Sequence, residues 1–155
     1  CNLRLFNTYG EGQVARFFIS KSCYNIKKKK SITINGSGTQ LRGYCYSSDT
    51  AYYIYLCLKK FKKVKNLTLN VGNSKEVYGL IDLVKVMQKI KNKKVLYLLD
   101  KKFKKTDRKS SREIFNRICD TSKIISKVNY VPRINIVDGI EKVLSQKIIY
   151  SNWPS

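Results

Sequence analysis

The chain has 155 residues, 43% of them hydrophobic and 12% aromatic, which is enough apolar material for one globular domain and excludes a disordered chain. Its formal charge of +22 invites a nucleic-acid or anionic-membrane reading, yet the lysines crowd at 27–30, 59–65, 89–94 and 101–105, mostly behind segments of helical periodicity where cations complement helix C-termini. The lack of histidine and the five scattered cysteines without CxxC spacing exclude the usual zinc sets and any Cys-His or Ser-His nucleophile pair.

In chain order, LRLFNT alternates apolar and polar residues and predicts a strand, followed by a loop at Gly10 and Gly12 and a helix over 14–24. SITI, the turn NGSG and LRGYCY predict a hairpin over 31–46. Ser48 or Asp49 is placed to cap the next helix, in which Ala51, Ile54, Tyr55, Leu58 and Phe61 recur at helical spacing and predict the buried face. NLTLNVG predicts a strand, and Leu80, Leu83, Val84, Met87 and Ile90 form one apolar stripe of the helix after it. KVLYLL adds a strand, and 100–112 is a polar, aperiodic loop carrying Arg108 and Arg112. Asp120 predicts the start of a short helix through Val128, Pro132 interrupts, and Ile136, Ile140, Val143 and Leu144 predict a last amphipathic helix. Strands alternating with helices predict an α/β fold.

No apolar run approaches the roughly 18 to 20 residues that cross a bilayer. The first residues also lack the layout of a signal peptide, so the expectation is a cytoplasmic protein with its cysteines in the core. No GxGxxG or GxxGxxG turn follows a strand into a helix; Gly36-Ser37-Gly38 leads from one predicted strand to another. Tyr-x-x-x-Lys spacing occurs at Tyr24/Lys28, Tyr55/Lys59 and Tyr97/Lys101, a number that the composition alone supplies, and these pairs read as structural.

Read in order, NLRLFNTYG, ITINGSGTQLRGYCYSSDTA, LTLNVGNSKEV and ICDTSKIISKVNYVPRINIVDGIEKVL resemble the C-terminal half of an extended short-chain dehydrogenase/reductase of the NAD-dependent nucleotide-sugar epimerase/dehydratase family. The resemblance implies the C-terminal part of a Rossmann-type fold, with late sheet strands plus a small substrate-binding lobe, and residues 1–155 as that half. It further implies that the N-terminal half is missing, that this missing half holds NAD or NADP, the glycine turn and the catalytic Tyr-x-x-x-Lys, and that the isolated chain is an inactive fragment without catalytic residues of its own. The complete enzyme would be a homodimer acting on a nucleotide sugar, with the 4,6-dehydratase-like branch favoured. A basic nucleic-acid-binding module and a non-catalytic remnant are the alternatives.

By the same resemblance, Asn7 corresponds to an asparagine that bonds the substrate near its diphosphate, against a turn-capping role. Arg42 matches the arginine of a Q-x-R-D-[FY] motif that grips the diphosphate, although Gly43 stands where the family has Asp. Arg108 resembles a second diphosphate arginine, Arg16 a basic residue from a nucleotide-facing helix start, and Asn73 a phosphate contact. Asp49 resembles the aspartate of Y-[IV]-x-D and is assigned to helix capping.

Overall fold

A computed structural model describes residues 1–101 and 114–152. Its strands are β1 (Asn2–Leu5), β2 (Thr8–Tyr9), β3 (Ile32–Asn35), β4 (Leu41–Gly43), β5 (Cys45–Tyr46), β6 (Thr68–Val71), β7 (Val77–Gly79), β8 (Tyr97–Asp100) and β9 (Asn116–Arg117). The helices are α1 (Phe18–Lys27), α2 (Ser47–Lys59), α3 (Phe61–Val64), α4 (Leu80–Lys91), α5 (Ser122–Val128) and α6 (Ile136–Ser145).

Parallel pairing dominates. β1 runs parallel to β6, β2 to β5 and β3 to β8, each pair separated in sequence by at least one helix. β4 is central to a three-stranded sheet, antiparallel to β7 and parallel to β9. The predicted α/β class is therefore observed, but its confinement to late strands plus a small lobe is corrected. Parallel strand and helix crossovers of Rossmann type run through nearly all of the described chain, because buried alternation in β3 and β6 and the apolar stripes of the helices specify them.

The predicted hairpin over 31–46 is also corrected. β3 leaves to pair with β8 and β4 with β7 and β9, so NGSG joins two sheets instead of two hydrogen-bonded neighbours. Gly36 and Gly38 adopt φ of 83° and 80°, and a Cβ at Gly38 would meet Ile81 at 2.6 Å. The first helix begins at Phe18 rather than residue 14. On α2 the buried apolar residues are Tyr53, Leu56 and Cys57, while Ile54, Tyr55 and Leu58 face outward, as does Phe61 at the start of α3. By contrast α4 buries Leu83, Val84 and Met87 and α6 buries Ile136, Ile140, Val143 and Leu144, as their periodicity predicts. No described helix is long and apolar enough to cross a membrane.

Two apolar clusters result. One joins α1, β3, α4 and α6 through Ile19, Ile34, Met87 and Ile140; the other joins α2, β6 and α5 through Tyr53, Leu69, Val71 and Ile124. Between them lies Asp49, in the first turn of α2 and 3% exposed. Its carboxylate caps no helix. Oδ1 accepts from the Tyr130 hydroxyl at 2.6 Å and the Arg133 amide at 3.2 Å, and Oδ2 from the Ile134 amide at 3.0 Å. Replacing Asp49 by Asn sets an amide donor against donors already present, and it should lower unfolding free energy by about 3 kcal/mol, measured by urea denaturation.

Four of the five cysteines are buried, and burial pushes the Cys23 thiol up to about 12 and the Cys45 thiol up to about 11. The folded chain thus holds these protons more tightly than an unfolded chain, whose thiols release them at the ordinary value of 9.0. This contribution to stability is complete below pH 9.0 and is lost as pH rises through 9.0 toward about 12. A thiol reagent at neutral pH should label Cys1 alone until denaturant is added, and unfolding midpoints should decline across that alkaline window.

Candidate functional site

The C-terminal ends of β1 and β2, the start of α1 and the exposed faces of β3, β4 and β9 enclose a cleft of ≈ 810 Å³. Strand alternation aims the lining. Ile32 and Ile34 point into the core, which turns Thr33 and Asn35 of β3 to the cleft, and the same alternation presents Arg42 from β4. Arg117 lies beside Arg42 as its register partner on β9. The stretch before α1 adds Gln13 and Arg16, and α1 itself adds Lys21.

The lining contains four cations, Arg16, Lys21, Arg42 and Arg117, and no carboxylate among the described residues. The acids are engaged elsewhere: Glu11 accepts from Tyr46, Glu76 from the Ile136 amide, Asp120 from the Ser122 amide, and Asp82 pairs with Lys85. Arg42 is steered by its own Nη1, which donates to the carbonyls of Leu41 and Phe115, both at 2.8 Å. No side chain caps α1 and its first turn holds no acid, so its positive dipole end is uncompensated at the cleft wall. Gln13 Oε1 and Gln40 Oε1 are buried acceptors without a partner, and both residues line the cleft. Burial raises the hydroxyl pKa of Tyr9 and Tyr44 above the ordinary 10.0, so neither lining tyrosine is set up as a base at neutral pH.

Of the sequence-predicted residues, Asn7, Arg16 and Arg42 meet in this cleft. Asn7 also has a structural task, since its Nδ2 donates to Gly43 O at 2.9 Å and its φ is 36°. Asn73 is 6% exposed, does not line the cleft, and closes a turn by accepting from the Lys75 amide at 3.0 Å. Arg108 lies outside the described residues. Arg117 and Lys21 escaped the sequence reading; the signal for Arg117 was its being an arginine in a chain that otherwise uses lysine. None of Tyr24, Tyr55 and Tyr97 lines the cleft.

Residues 1–72 match the model of the NAD dependent epimerase/dehydratase family. CDP-paratose 2-epimerase of Salmonella typhi is 26% identical over 144 residues, 90% of this chain and 40% of that protein. UDP-glucuronic acid 4-epimerase from Bacillus cereus, solved with UDP-glucuronic acid and NAD, superposes with a TM-score of 0.80 at 25% identity, covering 92% of this chain and 43% of its own. The likeness runs nearly the length of the chain. A dTDP-glucose 4,6-dehydratase from Bacillus anthracis shares the fold, with a TM-score of 0.73 at 16% identity. The chain thus spans less than half the length of these relatives.

These matches overturn the expectation that the resemblance is confined to a C-terminal fragment whose NAD-binding half is missing. The family model matches residues 1–72 of this chain, so NAD or NADP is no longer assigned to an absent half, that half is no longer counted as a partner, and the inactivity inferred from it falls as well. The isolated substrate-binding portion gives way to an epimerase/dehydratase-like α/β domain. The lack of one glycine signature is not the lack of a domain, because hydrophobic patterning carries the crossover units.

GEGQVA, residues 10–15, has G-x-G-x-x-A spacing between β2 and α1. Its geometry does not fit a dinucleotide pyrophosphate. A Cβ at Gly10 would meet Ser47 Oγ at 2.1 Å, the Gly12 amide donates to Gln146 Oε1, and α1 starts only at Phe18, beyond the reach that a glycine turn needs to lay phosphate on the helix amides.

Asn7→Ala should cost about 1 to 2 kcal/mol, because it removes the bond to Gly43 and places at a left-handed backbone an alanine, which tolerates that conformation less well than asparagine. Asn7→Gly should cost less. Equilibrium unfolding of the two variants checks the order.

Proposed function

We propose that this chain is an epimerase/dehydratase-type domain whose cleft binds a nucleoside diphosphate sugar. The observation that carries the reading is the convergence of Asn7, Arg16 and Arg42 on one cavity, with no lining carboxylate among the described residues, in a chain similar along nearly its whole length to nucleotide-sugar epimerases. A diphosphate needs convergent donors, and a guanidinium supplies two in one plane.

In this reading Arg42 holds the diphosphate, pre-aimed by the Leu41 and Phe115 carbonyls, so little rotamer freedom is lost on binding. Asn7 offers an uncharged amide beside it. Arg16 and the uncapped start of α1 complete the anion's surroundings from the opposite wall. Arg108 remains a proposed second diphosphate arginine on the strength of the sequence resemblance. Gln13 and Gln40 present acceptors that suit sugar hydroxyls. A cytoplasmic setting belongs to the same proposal, supported by the buried free thiols at Cys23, Cys45, Cys57 and Cys119.

Calorimetric titration with nucleoside diphosphate sugars tests the reading. The chain should bind with an affinity that declines with salt, and Arg42→Ala should weaken binding by about 1.5 to 3 kcal/mol, the scale of a charge-assisted contact. Failure of the unaltered chain to bind any of them, or an unchanged affinity in Arg42→Ala, would overturn it.

A further inference from the structure

A second basic site lies where the chain enters β3 and β8, and its lining shares no residue with the cleft. Helices α1 and α4 pack together, and the lysine runs that follow them, within residues 27–30 and 89–94, come to one corner of the fold. The strands ahead fix that arrangement. Ile32 and Tyr97 are parallel register partners and the Ile32 amide donates to Leu96 O at 2.9 Å, so the two runs approach the sheet on neighbouring chains about 4.8 Å apart. Between them opens a pocket of ≈ 190 Å³, lined by Lys29, Lys30, Lys93 and Lys94 and backed by the buried Ile26 and Val95.

Helix-end compensation does not account for so many cations. Each helix C-terminus carries about half a negative charge, so the two ends together offset about one lysine. The segments 27–30 and 89–94 hold four lysines each. Lys27 is engaged with Gln146 O. The four pocket lysines are exposed and make no salt bridge or side-chain hydrogen bond among the described residues, and no described carboxylate lines the pocket. Lys29 also holds φ of 54°, whereas the matching turn after α4 uses Asn92 at 47°, a residue that tolerates the left-handed region. Backbone conformation thus gives no reason for lysine at position 29.

The choice of cation separates the two sites. The cleft presents three arginines, which bond oxygens in a fixed plane, while the corner presents lysine alone. An ammonium on a flexible stem adapts to several oxygens without imposing a geometry, which suits a compact, multiply charged anion. The pocket's volume points the same way, since it is below the roughly 300 to 1,000 Å³ of sites that enclose larger organic ligands.

We propose that this pocket binds a compact anion carrying several phosphate groups, either a free polyphosphate or the phosphorylated headgroup of an inositol lipid, gripped by Lys29 and Lys30 from one side and Lys93 and Lys94 from the other. The site stands apart from the nucleotide-sugar reading and does not depend on it. Its occupant relieves the repulsion between the two lysine runs and ties the ends of α1 and α4 together.

Calorimetric titration of the whole chain with inorganic tripolyphosphate at about 0.15 M salt tests the proposal. Lys30→Gln/Lys94→Gln, which takes one cation from each run, should weaken binding about tenfold, the sum of two exposed ion contacts. Lys62→Gln/Lys63→Gln removes the same charge beyond α2, and Arg42→Ala impairs the cleft; each should change the affinity by less than about twofold. Tripolyphosphate should also raise the thermal unfolding midpoint of the unaltered chain and leave that of Lys30→Gln/Lys94→Gln nearly unmoved. Sedimentation with phosphatidylcholine vesicles, with and without phosphatidylinositol bisphosphate, separates the two sources. Pelleting that needs the inositol lipid and is lost in Lys30→Gln/Lys94→Gln assigns the headgroup, and tripolyphosphate binding without pelleting assigns the free anion. Equal weakening in the two double variants would reduce the effect to net charge, and loss of binding in Arg42→Ala would move the anion into the cleft. Either result overturns the proposal, as does failure of the unaltered chain to bind both probes.

Discussion

The buried carboxylate of Asp49 is the joint on which the molecule depends. It sits where the two apolar clusters meet, receiving one hydroxyl from the α5 side and two backbone amides from the segment that leads into α6. That segment belongs to no strand or helix, so Asp49 supplies the acceptors for its partly buried Arg133 and Ile134 amides. Tyr130 is held twice. Its hydroxyl donates to Asp49 and its carbonyl accepts from Tyr53, which fixes α2 against the chain that enters α6. Nearby, Thr8 and Thr50 share a hydrogen bond of 3.1 Å, so the same turn of α2 also positions β2 at the cleft wall.

The cleft's charge follows from how the few acids are spent. With 10 carboxylates against 32 cations, most acids that the structure describes are committed to backbone amides or to a neighbouring side chain, and no described carboxylate lines the cleft. Positive potential there is therefore a property of the fold as much as of composition. The lysine groups behind α1, α2 and α4 answer the negative ends of those helices, which separates them from the arginines that face the cavity.

What could be read from sequence depended on whether a local pattern had one solution. The stripes of α4 and α6 admit one buried face, and the structure buries it. α2 carries two stripes at helical spacing, one through Tyr53, Leu56 and Cys57 and one through Ile54, Tyr55 and Leu58. Only the positions of β6 and α5 decide between them. The turn around Gly36 and Gly38 looks the same in a hairpin as in a passage between sheets, because positive φ serves both. In the site, Arg42 and Asn7 were legible through motifs, whereas Arg117 acquires meaning only from its register with Arg42. Asp49 was noticed but misassigned, since capping is a local role and its partners lie more than 80 residues away.

The outward stripe of α2 has a colloidal consequence. Ile54, Tyr55 and Leu58 form a greasy band that continues to Phe61, flanked by Lys59, Lys60, Lys62 and Lys63. At low ionic strength the cations keep two such bands apart. At about 0.15 M salt the Debye length is only about 8 Å, and repulsion between molecules no longer reaches much beyond contact. The +22 charge thus acts as an electrostatic fence around an adhesive surface, and the ionic strength of the medium determines how high that fence stands.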